Sequence, residues 1–225
     1  MTNNTNHWNI TPREAREIQK SLRKHLVFDL DDLDVHLLGG VDISYSKKTN
    51  KMYAAVVILN ANDLKVIGVG QAVMDATFPY IPGLLTFREG PAASKAFQNL
   101  DVKPDVIIFD GQGFAHPRFF GIACHLGLLW NIPSIGCAKK RLVGTYIEPT
   151  LKAKSQSDLT FHDQIIGRVL RTRHGVKPVF VSKGYRLALD AAVKIVIQSC
   201  AGYRLPEPTR LAHQIVNQMR MQYES

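Results

Sequence analysis

The stretch DVIIFDGQGFAH, residues 105–116, decides the reading of the chain. Val106, Ile107, Ile108 and Phe109 make a short apolar run rich in β-branched residues, the pattern of a strand buried on both faces of a sheet. Asp110 follows at once. A carboxylate leaving a buried strand is poorly solvated and is held by pairing, hydrogen bonding or a metal ion. Gly111 and Gly113 carry no Cβ, so something can approach the backbone closely there. The same residues also fit an Asx-type turn in which the glycines serve geometry alone.

Composition narrows the alternatives. With 225 residues, 45% of them hydrophobic, the chain is expected to form one domain over residues 1–225 with a large core. The net charge of +9 favours a polyanionic partner, nucleic acid first and an anionic membrane surface second. The start, MTNNTNHWNI, is polar and no apolar run reaches about eighteen residues. Neither a signal peptide nor a membrane span is expected, and the protein reads as soluble and cytoplasmic. Cys124, Cys137 and Cys200 are odd in number, widely spaced and lack C-x-x-C pairing, which disfavours disulfides and a cysteine zinc site and leaves buried thiols.

Outward from the opening stretch, Thr11-Pro12-Arg13-Glu14 reads as a capping box with proline at the first helical position. Ala15, Ile18, Leu22 and Leu26 follow at helical spacing. Arg13, Arg16, Lys20, Arg23 and Lys24 then form either a solvated or a phosphate-facing side. Residues 36–44, HLLGGVDIS, read as a strand whose glycine pair marks a bulge or a close backbone approach before Asp42. Residues 52–59 and 64–76 add two strands, joined by a hairpin loop into an antiparallel meander.

In residues 78–83, FPYIPG, Pro79 and Pro82 stiffen the backbone that presents Tyr80 and Ile81. Such a loop serves either as a packing plug, the commoner use of aromatics near prolines, or as a wedge between stacked bases. Residues 84–99 read as a mainly helical segment interrupted near Gly90-Pro91, which places Glu89 near a helix terminus. A helix over residues 119–130 and a strand over 132–137 follow, ending in Ala138-Lys139-Lys140-Arg141, a basic cluster suited either to phosphates or to a solvated loop. Residues 151–163 are polar and read as a surface excursion, 165–171 and 178–181 as a peripheral hairpin, and 187–200 as a helix. A last helix begins after Pro206 and Pro208, with Ala212, Ile215, Val216 and Met219 as its stripe and His213 at its edge.

The order β-β-β-α-β-α-β is an α/β architecture with a mixed central sheet: three antiparallel strands, then two parallel ones, flanked by helices. In it Asp42 and Asp110 can lie on neighbouring strands. Two aspartates so close repel unless a cation joins them. Oxygen ligands favour Mg²⁺ or Mn²⁺, and Glu89 can add a third carboxylate. Such a site in a basic protein suits phosphoester hydrolysis.

The segments GGVDIS, TFPYIPGLLTFREGP, FDGQGFAHPR, GLLWNIPSIGCAKKRL and RLPEPTRLAH closely resemble the endonuclease V family of deaminated-base repair nucleases, over about residues 13–213. Cys124, Cys137 and Tyr185 depart from the serine, valine and histidine that many members carry there. The resemblance implies a ribonuclease-H-like fold, with Asp42, Asp110 and Glu89 as metal-binding acids. His213 becomes an active-site histidine, Lys139 a lysine near the scissile phosphate with Lys140 and Arg141 as further phosphate contacts, and Tyr80 in Pro79-Tyr80-Ile81-Pro82 a strand-separating wedge. Gly111, Gly113, His116 and Leu85 become the wall of a pocket for an extruded base. The implied reaction is Mg²⁺-dependent incision, with Mn²⁺ as substitute, at the second phosphodiester 3′ to deoxyinosine in DNA, leaving 3′-hydroxyl and 5′-phosphate ends. Incision of inosine-containing RNA and non-catalytic binding of damaged DNA are the alternatives; no obligate protein partner and no membrane is implied.

Overall fold

Main-chain pairing turns the apolar runs into one mixed sheet. A computed structural model, describing residues 8–224, shows β1 (Leu37–Ser46), β2 (Lys51–Asn60) and β3 (Val66–Asp75) as an antiparallel meander. β4 (Val106–Phe109) lies parallel to β1, and β5 (Ser134–Ala138) parallel to β4. Adding β6 (Gln156–Phe161), β7 (Gln164–Leu170) and β8 (Val179–Tyr185), the order across the eight-stranded sheet is β3-β2-β1-β4-β5-β8-β7-β6.

That order corrects two expectations. The excursion over residues 151–163 contains β6, an edge strand in which Leu159 is the buried apolar residue. It is held by main-chain pairing to β7, so its polar composition hides it. Nor is the hairpin of β7 and β8 peripheral: β8 pairs antiparallel with β5 and buries Val179, Phe180 and Val181, which extends the central sheet.

Helices cover both faces. On one face Val41 and Phe109 pack against Ala92, Ala93 and Ala96 of α2 (Leu85–Gln98) and Leu126 of α3 (Ile122–Trp130). On the other, Val106 and Ile108 meet Ala192 and Val196 of α4 (Leu189–Gln198), while Tyr53, Ala55 and Val57 meet Ala212, Val216 and Met219 of α5 (Glu207–Glu224). α1 (Pro12–Arg23) starts at the expected capping box: the Glu14 N–H donates to Thr11 Oγ1 at 3.3 Å, and the Thr11 N–H to Glu14 Oε2 at 2.7 Å. It ends before Leu26, and its buried stripe includes a polar residue, Gln19.

The expected break at Gly90-Pro91 does not occur. α2 runs through Pro91, which forfeits a bond to the Phe87 carbonyl, because Phe87, Ala92, Ala93 and Phe97 bury the helix on either side of it. Glu89 consequently sits inside α2 and projects from a rigid element. Cys124 and Cys137 are buried, Cys200 is half-buried and all are unpaired; burial pushes the Cys124 and Cys200 thiols up to about 12. Among the described residues no helix is long and apolar enough to cross a membrane.

The glycine pair of β1 marks close approach, not a bulge, since the β1/β2 register is unbroken through it. A Cβ on Gly40 would lie 2.3 Å from the Pro208 carbonyl carbon and 2.5 Å from Thr209 N, both backbone at the start of α5. On Gly39 it would meet the Pro104 and Ile107 side chains at 2.9 and 3.0 Å. Gly40→Ala is therefore expected to lower the unfolding free energy by about 1–3 kcal/mol through overpacking. Urea denaturation should show a smaller loss for Gly39→Ala, whose neighbours are side chains.

Candidate active site

Strand register brings the two aspartates together. The last β1/β4 partners are Val41 and Phe109, and the Asp110 N–H donates to the Val41 carbonyl at 3.1 Å. Val41 and Phe109 face α2 and α3, so by strand alternation Asp42 and Asp110 emerge together on the other face. At the opposite end of the pair, Asp105 Oδ2 accepts from the His36 and Leu37 N–H groups at 2.9 and 2.8 Å, which pins this register.

α5 brings the third group. His213 Nδ1 lies 2.7 Å from Asp42 Oδ2, and Asn217 Nδ2 lies 3.1 Å from His213 Nε2. An amide nitrogen only donates, so Nε2 is the acceptor and the ring proton sits on Nδ1, directed at Asp42. The ligand atoms of Asp42, Asp110 and His213 all fall within 4.8 Å of one another. From the end of β5, Lys139 forms an ion pair with Asp110.

Burial, and then the charge of Asp110, push Asp42 up to about 6 against the opposing pull of His213 and Lys139. Burial, then Asp42 and Asp110, push Glu89 up to about 8. Glu89 thus feels both aspartates from α2, and His213 reaches them from α5. Two carboxylates this close, one of them Asp42 and costly to ionise, with an imidazole beside them and a lysine paired with Asp110, fit a hard divalent cation.

A cavity of about 390 Å³ adjoins this cluster. Tyr80, Ile81, Pro82 and Leu85 line one side, Asp110, Gly111 and His116 another, and Lys139, Lys140 and Arg141 the rim. Asp110 thus belongs to the cavity and to the acidic cluster alike. Gly113 lies away from the wall: a Cβ there would sit 2.1 Å from the Lys183 carbonyl, so the close approach at that glycine is by β8. Pro79 is exposed outside the cavity. In the proline-bracketed loop the plug is Phe78, buried against Ala15, Leu84 and Phe87, whereas Tyr80 is 70% exposed. Burial pulls His116 down to about 4, so the ring is neutral.

Sequence reasoning missed Gln112, whose Nε2 donates to the Lys140 carbonyl at 2.9 Å and ties the cavity floor to the basic rim. It also missed Asn217, one turn beyond His213, and Gln19, a polar residue on an apolar stripe. The i, i+4 spacing and the break in the stripe were the available signals.

A ribonuclease-H-like sheet with paired aspartates on neighbouring strands, one within β1 and one just past β4, defines an α/β nuclease. The chain belongs to the endonuclease V family, whose sequence model matches residues 16–214. An endonuclease V of Dehalococcoides mccartyi is 46% identical over 207 residues, 92% of this chain and 93% of that one. The crystal structure of endonuclease V from Streptomyces avermitilis superposes with a TM-score of 0.92 at 38% identity, covering 97% of each chain. That of a Ciona intestinalis endonuclease V variant, in complex with a 23mer DNA containing an inosine followed by a ribo-adenosine, gives 0.84 at 28% identity, covering 96% of this chain and 100% of that one. The chain is accordingly an endonuclease, a hydrolase of phosphodiester bonds.

The raised Asp42 carboxyl has a signed consequence for the metal-free protein. Below about pH 4 Asp42 is protonated folded or unfolded; between about pH 4 and 6 the unfolded chain ionises it while the folded state still holds the proton, so stability is lost across that window and stays lost above it. In EDTA, Asp42→Asn should match the parent near pH 4 and exceed it at pH 7 by on the order of 2 kcal/mol. Millimolar Mg²⁺ or Mn²⁺ should raise the Tm of the parent and leave that of the variant unchanged.

Proposed function

We propose that this chain is a Mg²⁺-dependent endonuclease that recognises deaminated bases in DNA, chiefly deoxyinosine. It hydrolyses the second phosphodiester bond 3′ to the lesion and so initiates repair. The observation that carries this reading is the junction at Asp110 of an acidic cluster and a base-sized cavity. The inosine-containing DNA bound by the Ciona relative supports it.

In this reading Tyr80 parts the stack at the lesion and the extruded base enters the cavity beside Gly111 and His116. Deamination of adenine replaces an amine donor with a carbonyl acceptor, so a wall of fixed donors and acceptors leaves unpaired polar groups against the wrong base. Asp42 and Asp110, with Glu89 projecting from α2, would hold the cation. When bound, it supplies the positive charge that activates water and stabilises the phosphate as its charge develops. Lys139, paired with Asp110 in the free protein, turns its ammonium to the scissile phosphate, and Lys140 and Arg141 hold the flanking backbone. His213, oriented by Asp42, aligns the attacking water or receives its proton. The new bond joins the water oxygen to phosphorus, the P–O3′ bond breaks, and the departing oxygen is protonated, which leaves a 3′-hydroxyl and a 5′-phosphate.

A second reading, incision of inosine-containing RNA, is favoured by the ribo-adenosine that follows the inosine in the Ciona complex. The 2′-hydroxyl separates the two. Matched DNA and RNA duplexes with one inosine, assayed with Mg²⁺, should show faster incision of the DNA; the reverse ranking would make RNA the substrate. Asp110→Ala should reduce incision about 100-fold or more, and unchanged incision would exclude the metal-site assignment. Tyr80→Ala is expected to weaken binding of lesion DNA while leaving the Mn²⁺-induced rise in Tm intact.

A further inference from the structure

The loop that presents Tyr80 is tied down at both ends. Upstream, Arg88 Nη1 donates to the Phe78 carbonyl at 2.6 Å, and its guanidinium stacks 4.2 Å from the Tyr45 ring. Downstream, the Gly83 carbonyl receives Gln19 Nε2 at 3.0 Å, His116 Nε2 at 3.0 Å and Arg118 Nη2 at 2.5 Å. A carbonyl oxygen has two lone pairs, so three donors, one from α1 and two from the 116–118 segment, over-determine its position. Gly83 itself sits at φ +79°, and a Cβ there would lie 2.8 Å from Arg118 Nη2 and 3.3 Å from His116 Nε2.

The donors brace one another. Gln19 is 1% exposed; its Oε1 accepts from Arg118 Nε at 2.6 Å and its Nε2 also reaches the Phe120 carbonyl at 3.1 Å. The Arg118 N–H donates to His116 Nδ1 at 3.1 Å, which leaves the ring proton on Nε2 to donate to Gly83. A leucine at position 19 would complete the apolar stripe of α1 without burying an amide. The residue present instead directs both amide protons and its carbonyl oxygen to the loop and to the segment that carries His116.

We propose that Gln19 and Arg118 are positioning residues for strand separation, locking the Gly83 end of the loop to the cavity wall at His116 so that Tyr80 enters the duplex at a fixed offset from the base pocket. This rests on the assignment of Tyr80 as the wedge. Neither residue touches the reacting phosphate. Their contribution is to keep the energy of insertion from being lost in loop movement, because unstacking a base step is costly and only a rigid wedge transmits it.

A substrate that needs no strand separation isolates the role. Incision rates on inosine in a duplex and in the same strand left single should be compared for the parent, Gln19→Met, Gln19→Glu and Arg118→Lys. Loss of the clamp should lower kcat/KM on the duplex about 10-fold and on the single strand less than about 2-fold. Gln19→Glu, which keeps the acceptor for Arg118 and is nearly isosteric, serves if Gln19→Met does not fold. In parallel, 2-aminopurine placed beside the inosine should brighten on binding of the parent with Ca²⁺ in place of Mg²⁺, and brighten less with the variants at saturation. Equal losses on both substrates, or an undiminished duplex rate and fluorescence, would overturn the proposal. If the parent incises neither substrate, the assigned function fails, while the fluorescence comparison still decides the clamp.

Discussion

Two aspartates are held side by side by main-chain pairing, and most of what is unusual in this molecule follows from that. The β1/β4 register leaves Asp42 and Asp110 no freedom to separate, since Asp42 follows Val41 within β1 and Asp110 follows Phe109, the partner of Val41, at the end of β4. Burial, and then their repulsion, push the Asp42 carboxyl up to about 6, and burial, then the two aspartates, push Glu89 up to about 8. His213 and Lys139 supply partial compensation from α5 and the end of β5. A site of this kind is poor for stability and well suited to a divalent ion, and the large core around it offsets the cost.

The scaffold delivers these groups by close backbone packing. Gly40 lets the start of α5 rest directly on β1, which brings His213 within 2.7 Å of Asp42. Gly113 lets the segment after Asp110 rest on β8. The polypeptide from Asp110 to His116 is therefore fixed at one end by the acidic cluster and at the other by the Tyr80 loop, through the His116 bond to Gly83. The acidic cluster and the cavity meet on one short segment.

Much of this was legible in the chain. VIIF declared a buried strand and MYAAVVIL a strand of the meander, the capping box declared α1, and the long ordered motifs declared the family. The less legible parts share a cause. β6 is polar because an edge strand buries little, so pairing and not side-chain pattern defines it. α2 persists through Pro91 because tertiary burial outweighs one lost hydrogen bond. Gln19 broke an otherwise apolar stripe, and nothing local says that its partners are the carbonyls of Gly83 and Phe120.

By itself the sequence determined the elements and the inventory of chemistry: which strands are buried, where helices begin, and that Asp42, Glu89, Asp110, Lys139 and His213 have the functional groups for metal-assisted phosphoester hydrolysis. Only the tertiary structure decided the company they keep. It set His213 on Asp42 across 171 positions of chain, drew Lys139 to Asp110, left Tyr80 exposed while Phe78 became the plug, and put Gly113 under β8 rather than on the cavity wall. The physical reason is one of range. Propensity, capping and periodicity act within a turn or a strand, whereas register and helix docking are set by burial summed over residues far apart in the chain.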